Sequence, residues 1–113
     1  MKVIWYIKSN GTNVIKDFLI GLNKDIECKA INTIRLLEIY GAYIPRKFSK
    51  HLSGDIFELR IKKGSNIIRI LYFYTNNDEA VLTNGFVKKT MKTPKKEIEL
   101  ANKRRINYLE RNE

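Results

Sequence analysis

The hydrophobic positions of this 113-residue chain change period twice. Val3 to Ile7 is a β-branched and aromatic run that predicts a first strand, closed by the turn-forming Ser9-Asn10-Gly11. Thr12 then offers a helix cap, and Val14, Ile15, Phe18, Leu19 and Leu22 recur at helical spacing. Beyond Asn23 a longer helical stripe, Ile26, Ala30, Ile34 and Leu37, runs to Gly41, a residue suited to the left-handed position after a helix. Two helices with so short a link are expected to form a hairpin. Ala42 to Gly54, which contains Pro45, has no period and reads as a loop.

After Gly54 the period falls to two. Phe57, Leu59 and Ile61 alternate with Glu58, Arg60 and Lys62, so the apolar set should face the core and the charged set the other side. Lys63-Gly64-Ser65-Asn66 is a turn, and Ile67 to Tyr74 is apolar enough for a central strand buried on both faces. Thr75-Asn76-Asn77-Asp78 turns the chain into a third strand that reaches Phe86. Thr93 before Pro94 marks a helix start, with the hydroxyl as cap and the proline first in the helix. That helix runs to about Leu109 with an apolar face of Ile98, Ala101 and Leu109. The predicted order is β-α-α-β-β-β-α in one domain spanning residues 1–113: an α+β fold, its antiparallel sheet packed by the helices on one face.

Composition narrows the setting. A domain of this length buries a core without staples, and the single Cys28 can form no internal bridge, which fits a reducing cytoplasm. The apolar start is too short for a signal-peptide core or a membrane span. A net charge of +10 favours polyanions or an acidic protein partner. A chain rich in Lys, Asn and Ile also fits an AT-rich genome, so the placement of the cations says more than their number.

Those cations are ordered. Arg60 and Arg69 fall on neighbouring strands, and Lys88 and Lys89 emerge where the third strand of the meander ends. Arginine offers a rigid fork that matches phosphate and lysine a compact charge, so together they can hold one phosphate from two sides. Such a surface holds a nucleic-acid backbone and stabilises charge developing at phosphorus. Arg60 could instead pair with Glu58 or another exposed charge across the sheet. Arg69, inside an apolar run, must be paired or snorkel. Lys92, Lys95, Lys96, Lys103, Arg104 and Arg105 read as a solvated helix face, although lysines in a first helical turn oppose the macrodipole and an anion would relieve them. His51 is the only histidine, placed in the loop where proton transfer is possible. Paired carboxylates, a Ser/His/Asp set, a phosphate-binding glycine loop and metal-ligand spacings are all missing, so an enzyme built on these residues would use no metal or nucleotide cofactor.

The strings Glu58-Leu59-Arg60-Ile61-Lys62, Arg69-Ile70-Leu71-Tyr72-Phe73 and Gly85-Phe86-Val87-Lys88-Lys89-Thr90, followed by Thr93-Pro94-Lys95-Lys96-Glu97, closely resemble the phage-derived, HigB-like branch of the RelE/ParE toxin superfamily. The likeness covers about His51 to Arg105 and extends to the helical hairpin by pattern only. It implies the RelE-type fold and the toxin of a type II toxin–antitoxin system, a cytoplasmic protein that enters the 30S A site and cleaves mRNA during translation. The reaction it implies is metal-independent attack of the ribose 2′-hydroxyl on the adjacent phosphate. The implied partner is a HigA-like helix-turn-helix antitoxin that represses the operon, which links the toxin indirectly to operator DNA.

Carried over by residue, the resemblance gives Arg69 the scissile phosphate, Arg60 a basic strand position of the same site, and Lys89 or Lys88 the leaving group. His51 resembles the histidine preceding the Leu-x-Gly turn in HigB-type toxins. RNA contacts fall to Lys62, Phe86, Lys92, Lys95 and Lys96. One departure stands out: the tyrosine that follows the last basic residue in RelE is replaced here by Met91, Lys92, Thr93 and Pro94. Phe86 can supply stacking but not proton transfer, which leaves the general base open. Two further readings follow, a ParE-like toxin that binds gyrase without cleaving RNA and a non-catalytic nucleic-acid-binding domain.

Overall fold

Period-two stretches pair as strands and period-3.6 stretches coil, as their side-chain patterns require. The computed structural model describes residues 1–112. Its elements are β1 (Lys2–Trp5), α1 (Val14–Ile20), α2 (Lys24–Tyr40), a 3-10 turn (Gly41–Tyr43), β2 (Ser49–Ser53), β3 (Ile56–Lys63), β4 (Asn66–Tyr74), β5 (Glu79–Val87) and α3 (Lys95–Arg111). The strands form one sheet in the order β1-β5-β4-β3-β2. β1 runs parallel to β5 and the other neighbours are antiparallel. The fold is α+β with a mixed sheet, compatible with a RelE-like fold.

Both faces of the sheet are used, because β4 is apolar on both. Leu59, Ile61, Ile68, Ile70 and Leu82 meet Ile15, Leu19, Ile26, Ile34 and Leu37 of the α1–α2 hairpin. On the opposite face Ile56, Leu71, Phe73 and Val81 meet Ala101 and Ile98 of α3. The expectation of helices on one face is thereby corrected. α3 buries Ala101 and packs Ile98 and Tyr108, while Leu109 faces outward. Gly85 of β5 is the point of closest approach to the hairpin, since a Cβ there would stand 2.5 Å from Phe18 Cδ2.

Four local expectations change. Ala42 to Gly54 is not wholly loop, because it holds the 3-10 turn and the edge strand β2. The sheet expected to be antiparallel is mixed, because β1 pairs parallel with β5, from which the α1–α2 hairpin and strands β2–β4 separate it in the chain, room enough for the crossover a parallel pair needs. Asn13, not Thr12, caps α1, its side chain accepting from the Lys16 N–H at 3.0 Å. Pro94 occupies the cap position of α3, whose first helical residue is Lys95, and makes no side-chain capping bond. The Thr93 hydroxyl donates instead to Glu58 Oε1 at 2.7 Å.

Candidate functional site

Register assembles the site. Arg60 of β3 stands directly opposite Arg69 of β4, and Phe86 of β5 stands opposite Arg69 on its other side. Side chains alternate along a strand, so Glu58, Arg60, Arg69, Phe86 and Lys88 point to the α3 face of the sheet. β5 ends at Val87, and the Lys88 N–H still donates to the Ile67 carbonyl at 2.8 Å, which fixes Lys88 at the rim. Two arginines directly across a strand pair repel each other. Glu58 offsets that repulsion: one carboxylate oxygen lies 3.6 Å from Arg60 Nε and the other 3.5 Å from Arg69 Nε.

Burial sets the electrostatics. The Glu58 side chain is 2% exposed, that of Arg69 8% and that of Arg60 36%. Arg69 donates from Nη1 to the Ile68 carbonyl at 3.2 Å, while its buried Nε has no hydrogen-bond partner among the described residues. Burial weakens the Arg69 guanidinium's hold on its proton, Glu58 opposes that loss and Arg60 adds to it, yet arginine stays charged in proteins. The Lys88 ammonium is also held below the ordinary lysine range, first by burial, then by Arg69, with Arg60 and Lys50 adding to the effect and Glu58 opposing it. Four cations, Lys50, Arg60, Arg69 and Lys88, thus crowd around one carboxylate, with which only Arg60 and Arg69 are paired.

A cleft of about 310 Å³ opens over this cluster, bordered by Lys50, Glu58, Arg60, Lys88, Lys92 and Thr93. Arg69 is buried beside Glu58 and does not itself border the cleft. Lys88 faces the cleft, whereas Lys89 is exposed beyond the strand end and does not border it. Lys92 lines it, Lys62 lies exposed two residues beyond Arg60, and Lys95 and Lys96 are exposed on the first turn of α3. Phe86 is half-buried against the α3 cluster. The helix face expected to be solvated is partly turned inward: Arg104 donates to the Thr83 carbonyl at 2.8 Å and Arg105 pairs with Asp55 at 3.5 Å.

His51 sits elsewhere. It pairs in register with Phe57, so it faces the α1–α2 side of the sheet rather than the cluster. Its Nε2 lies 2.7 Å from the Gly54 carbonyl and must carry the proton there, because a carbonyl only accepts. Nδ1 is then the acceptor of the neutral ring. Its neighbours are aromatic: the rings of His51 and Phe57 lie 4.9 Å apart and those of Phe57 and Tyr74 5.0 Å apart. A second cleft of about 570 Å³ opens over these rings and shares Lys50 and Arg60 with the first.

Tyr108 does not replace the tyrosine missing after the last basic residue. Its ring packs 5.9 Å from Phe73, and its hydroxyl donates to Glu79 at 3.3 Å, away from the cluster. Sequence reasoning named Glu58 only as a partner for Arg60, gave Thr93 only the role of a helix cap and gave Lys50 none. A carboxylate two residues from Arg60, on a face otherwise cationic, was the available signal for Glu58. Lys50 had none, because its strand was read as loop.

Among the described residues no helix is long and apolar enough to cross a membrane, and no group of three or more His, Cys, Asp or Glu is placed to hold a metal ion. No curated protein matches the sequence. The family described as Phage derived protein Gp49-like (DUF891) matches residues 17–105, which takes in the last turn of α1, all of α2, the whole β2–β5 meander and the first two-thirds of α3. With the α+β architecture and the cationic cluster inside that span, the chain belongs to this phage-derived Gp49-like family, a RelE/ParE-like toxin family.

Proposed function

We propose that the protein is a HigB-like toxin that cleaves mRNA on the ribosome. The observation that carries this reading is the crowding of Lys50, Arg60, Arg69 and Lys88 around the single carboxylate of Glu58 beside an open cleft. Such a field is suited to a phosphodiester, because charge developing on the phosphoryl oxygens meets donors already in place. Arg60 and Lys88 border the cleft and hold the phosphate, with Lys50 and Lys92 tracking the neighbouring backbone. Arg69 acts from its buried position beside Glu58: its charge adds to the field and makes the Lys88 proton easier to give up.

In the proposed reaction the ribose 2′-oxygen attacks phosphorus, its proton passes to a base, the P–O5′ bond breaks and the 5′-oxygen takes a proton. The products are a 2′,3′-cyclic phosphate and a free 5′-hydroxyl. Lys88 gives the proton to the departing oxygen, since it is the cation of the cluster whose ammonium is perturbed downward and, unlike arginine, it can release a proton. Lys89 and His51, also expected at this chemistry, are turned away from the cleft over Glu58, and we assign the reaction without them. The helix-turn-helix antitoxin, the operon it represses, the A site and the cytoplasmic setting belong to the same proposal.

The test is inducible expression in a bacterial host of the wild type beside Lys88→Ala and Arg60→Ala, with growth recorded and transcript 5′ ends mapped with and without translation. Both replaced side chains border the cleft, so neither variant removes a core residue. The proposal expects arrest with translation-dependent cleavages that the variants lose. Arrest with intact transcripts would refute it in favour of a gyrase-binding toxin, a reading that gains support from the missing tyrosine. Unimpaired growth would leave only nucleic-acid binding.

A further inference from the structure

The larger cleft is not explained by phosphate chemistry. Its floor is aromatic, formed by His51 of β2, Phe57 of β3 and Tyr74 of β4, while Arg46, Lys50 and Arg60 stand around it. Adjacent strands place these rings side by side, with Phe57 between His51 at 4.9 Å and Tyr74 at 5.0 Å. Phe57 and Tyr74 are half-buried and His51 exposed, so the rings are anchored below and open above. At about 570 Å³ the cleft lies within the range of ligand pockets.

Hydroxyls add to the floor. Ser49 and Tyr72 are hydrogen-bonded to each other, and the Tyr72 hydroxyl lies 3.3 Å from that of Tyr74. Ser49 and Tyr74 both border the cleft. Such groups either donate or accept, which accommodates the polar edge of any nucleobase without demanding one pattern. Phenol and imidazole rings with arginine and lysine around them are also the combination that binds single-stranded nucleic acid through stacking and backbone charge.

We infer that the cleft over His51, Phe57 and Tyr74 is a base-stacking subsite for one nucleotide of single-stranded RNA, joined to the phosphate cleft through Lys50 and Arg60. This rests on the ribonuclease reading for its substrate class. One continuous strand occupies both clefts: its scissile phosphate lies at Arg60 and Lys88, its sugar-phosphate chain passes Lys50, and a neighbouring base leaves the stack to lie on the rings. The subsite adds affinity and register, and its hydroxyl floor makes it tolerant of base identity.

The experiment is fluorescence anisotropy of the purified protein, without ribosomes, with a labelled six-nucleotide uridine or adenosine RNA and an abasic ribose-phosphate chain of the same length and charge. Wild type is compared with His51→Ala and with Phe57→Leu, which keeps apolar volume while removing the ring. Stacking contributes about 1–3 kcal/mol per base, so the base-bearing strands should bind roughly 5- to 100-fold more tightly than the abasic chain. Each variant should reduce that ratio at least about threefold, leaving abasic affinity and the far-ultraviolet circular dichroism unchanged. Equal affinity of wild type for base-bearing and abasic chains overturns the inference and leaves the cleft to a protein partner. Variants that weaken both chains alike overturn it too, since the rings would then act only through the fold. Because binding is read apart from cleavage, a base preference in a protein that leaves transcripts intact in the expression test defeats the nuclease reading and not the subsite.

Discussion

Glu58 is expected to govern the stability of the cationic cluster, and removing Glu58 and Arg69 together should cost less than the sum of removing each alone. The side chains are 2% and 8% exposed, with Glu58 Oε1 lying 3.5 Å from Arg69 Nε. At a separation of about 3.5 Å and an effective dielectric of about 20, two unit charges attract by about 4–5 kcal/mol. In Arg69→Met part of that is returned, because Arg60 still stands 3.6 Å from the other carboxylate oxygen and its repulsion by Arg69 is gone. The expected loss is about 2–3 kcal/mol, just under the range of about 3–5 kcal/mol for stripping one partner from a buried pair. Glu58→Gln leaves two arginines face to face without an anion and should lose about 3 kcal/mol by the same reasoning. The double variant keeps an amide acceptor for Thr93 and removes both the orphaned carboxylate and one of the arginines. It should be about 2 kcal/mol more stable than the sum of the singles predicts. Urea unfolding followed by the fluorescence of Trp5, the one tryptophan, gives all four corners of the cycle. Additivity within about 0.5 kcal/mol would refute the claim that Glu58 and Arg69 act as a pair.

Gly85→Ala brings a methyl to 2.5 Å from the Phe18 ring and should destabilise by about 1–3 kcal/mol, with partial recovery in Gly85→Ala/Phe18→Leu, both read from urea midpoints. If Lys88 is the proton donor, cleavage in a translating extract should fall as pH rises through a Lys88 pKa that lies below the usual lysine range, since the charged form is the active one. Lys88→Arg should be poorly active and lack that decline; an unchanged pH profile in this variant removes Lys88 from proton transfer. Tyr72 is buried, and burial is the main cause that pushes its phenol far above the ordinary tyrosine range, with the Ser49 bond opposing. Its contribution is therefore full below about pH 10 and lost as alkaline pH ionises the unfolded state. Tyr72→Phe should lessen the alkaline drop in stability while losing about 1 kcal/mol at pH 7.

How much was legible follows from which residues must be buried. The stripe Ile26, Ala30, Ile34 and Leu37 faces the sheet along α2, and all four are buried, so helical spacing was enough to find it. β3 and β4 announced themselves by alternation and by an apolar run. β2 did not, because an edge strand with only Ser49 buried carries no apolar period; its place is fixed by backbone pairing with β3, which sequence spacing does not encode. The same gap hid the geometry of His51: a loop has no face, whereas pairing opposite Phe57 turns it away from Arg69. Thr93-Pro94 read as a helix cap because local chemistry favours it, yet the hydroxyl bonds to Glu58, a buried carboxylate thirty-five residues earlier in the chain. Arg69 was conspicuous as a charge in an apolar strand. Its neighbours depended on register, which brings Arg60 opposite it and leaves Glu58 between them.

That arrangement explains why the free protein keeps so awkward a cluster. Arg60 opposes Arg69 directly, the Lys88 ammonium is disfavoured by its surroundings, and one carboxylate serves them all. A fold selected for stability alone would replace such a face with apolar pairs, which are often neutral or better than buried ions. An anion arriving between Arg60 and Lys88 reverses the balance: it screens the arginines from each other and strengthens the hold of Lys88 on its proton. In the proposed reaction, breaking the bond to the leaving oxygen would move negative charge from the phosphoryl group onto that oxygen, and the proton held more tightly in the bound state would have somewhere to go. Under the same proposal an acidic antitoxin segment would find its purchase in this deficit of negative charge, since neutralising the cluster would both block the cleft and relieve the fold. On the proposed function, inhibition and catalysis would draw on one electrostatic strain, and Glu58 sets its size by compensating the cations only in part.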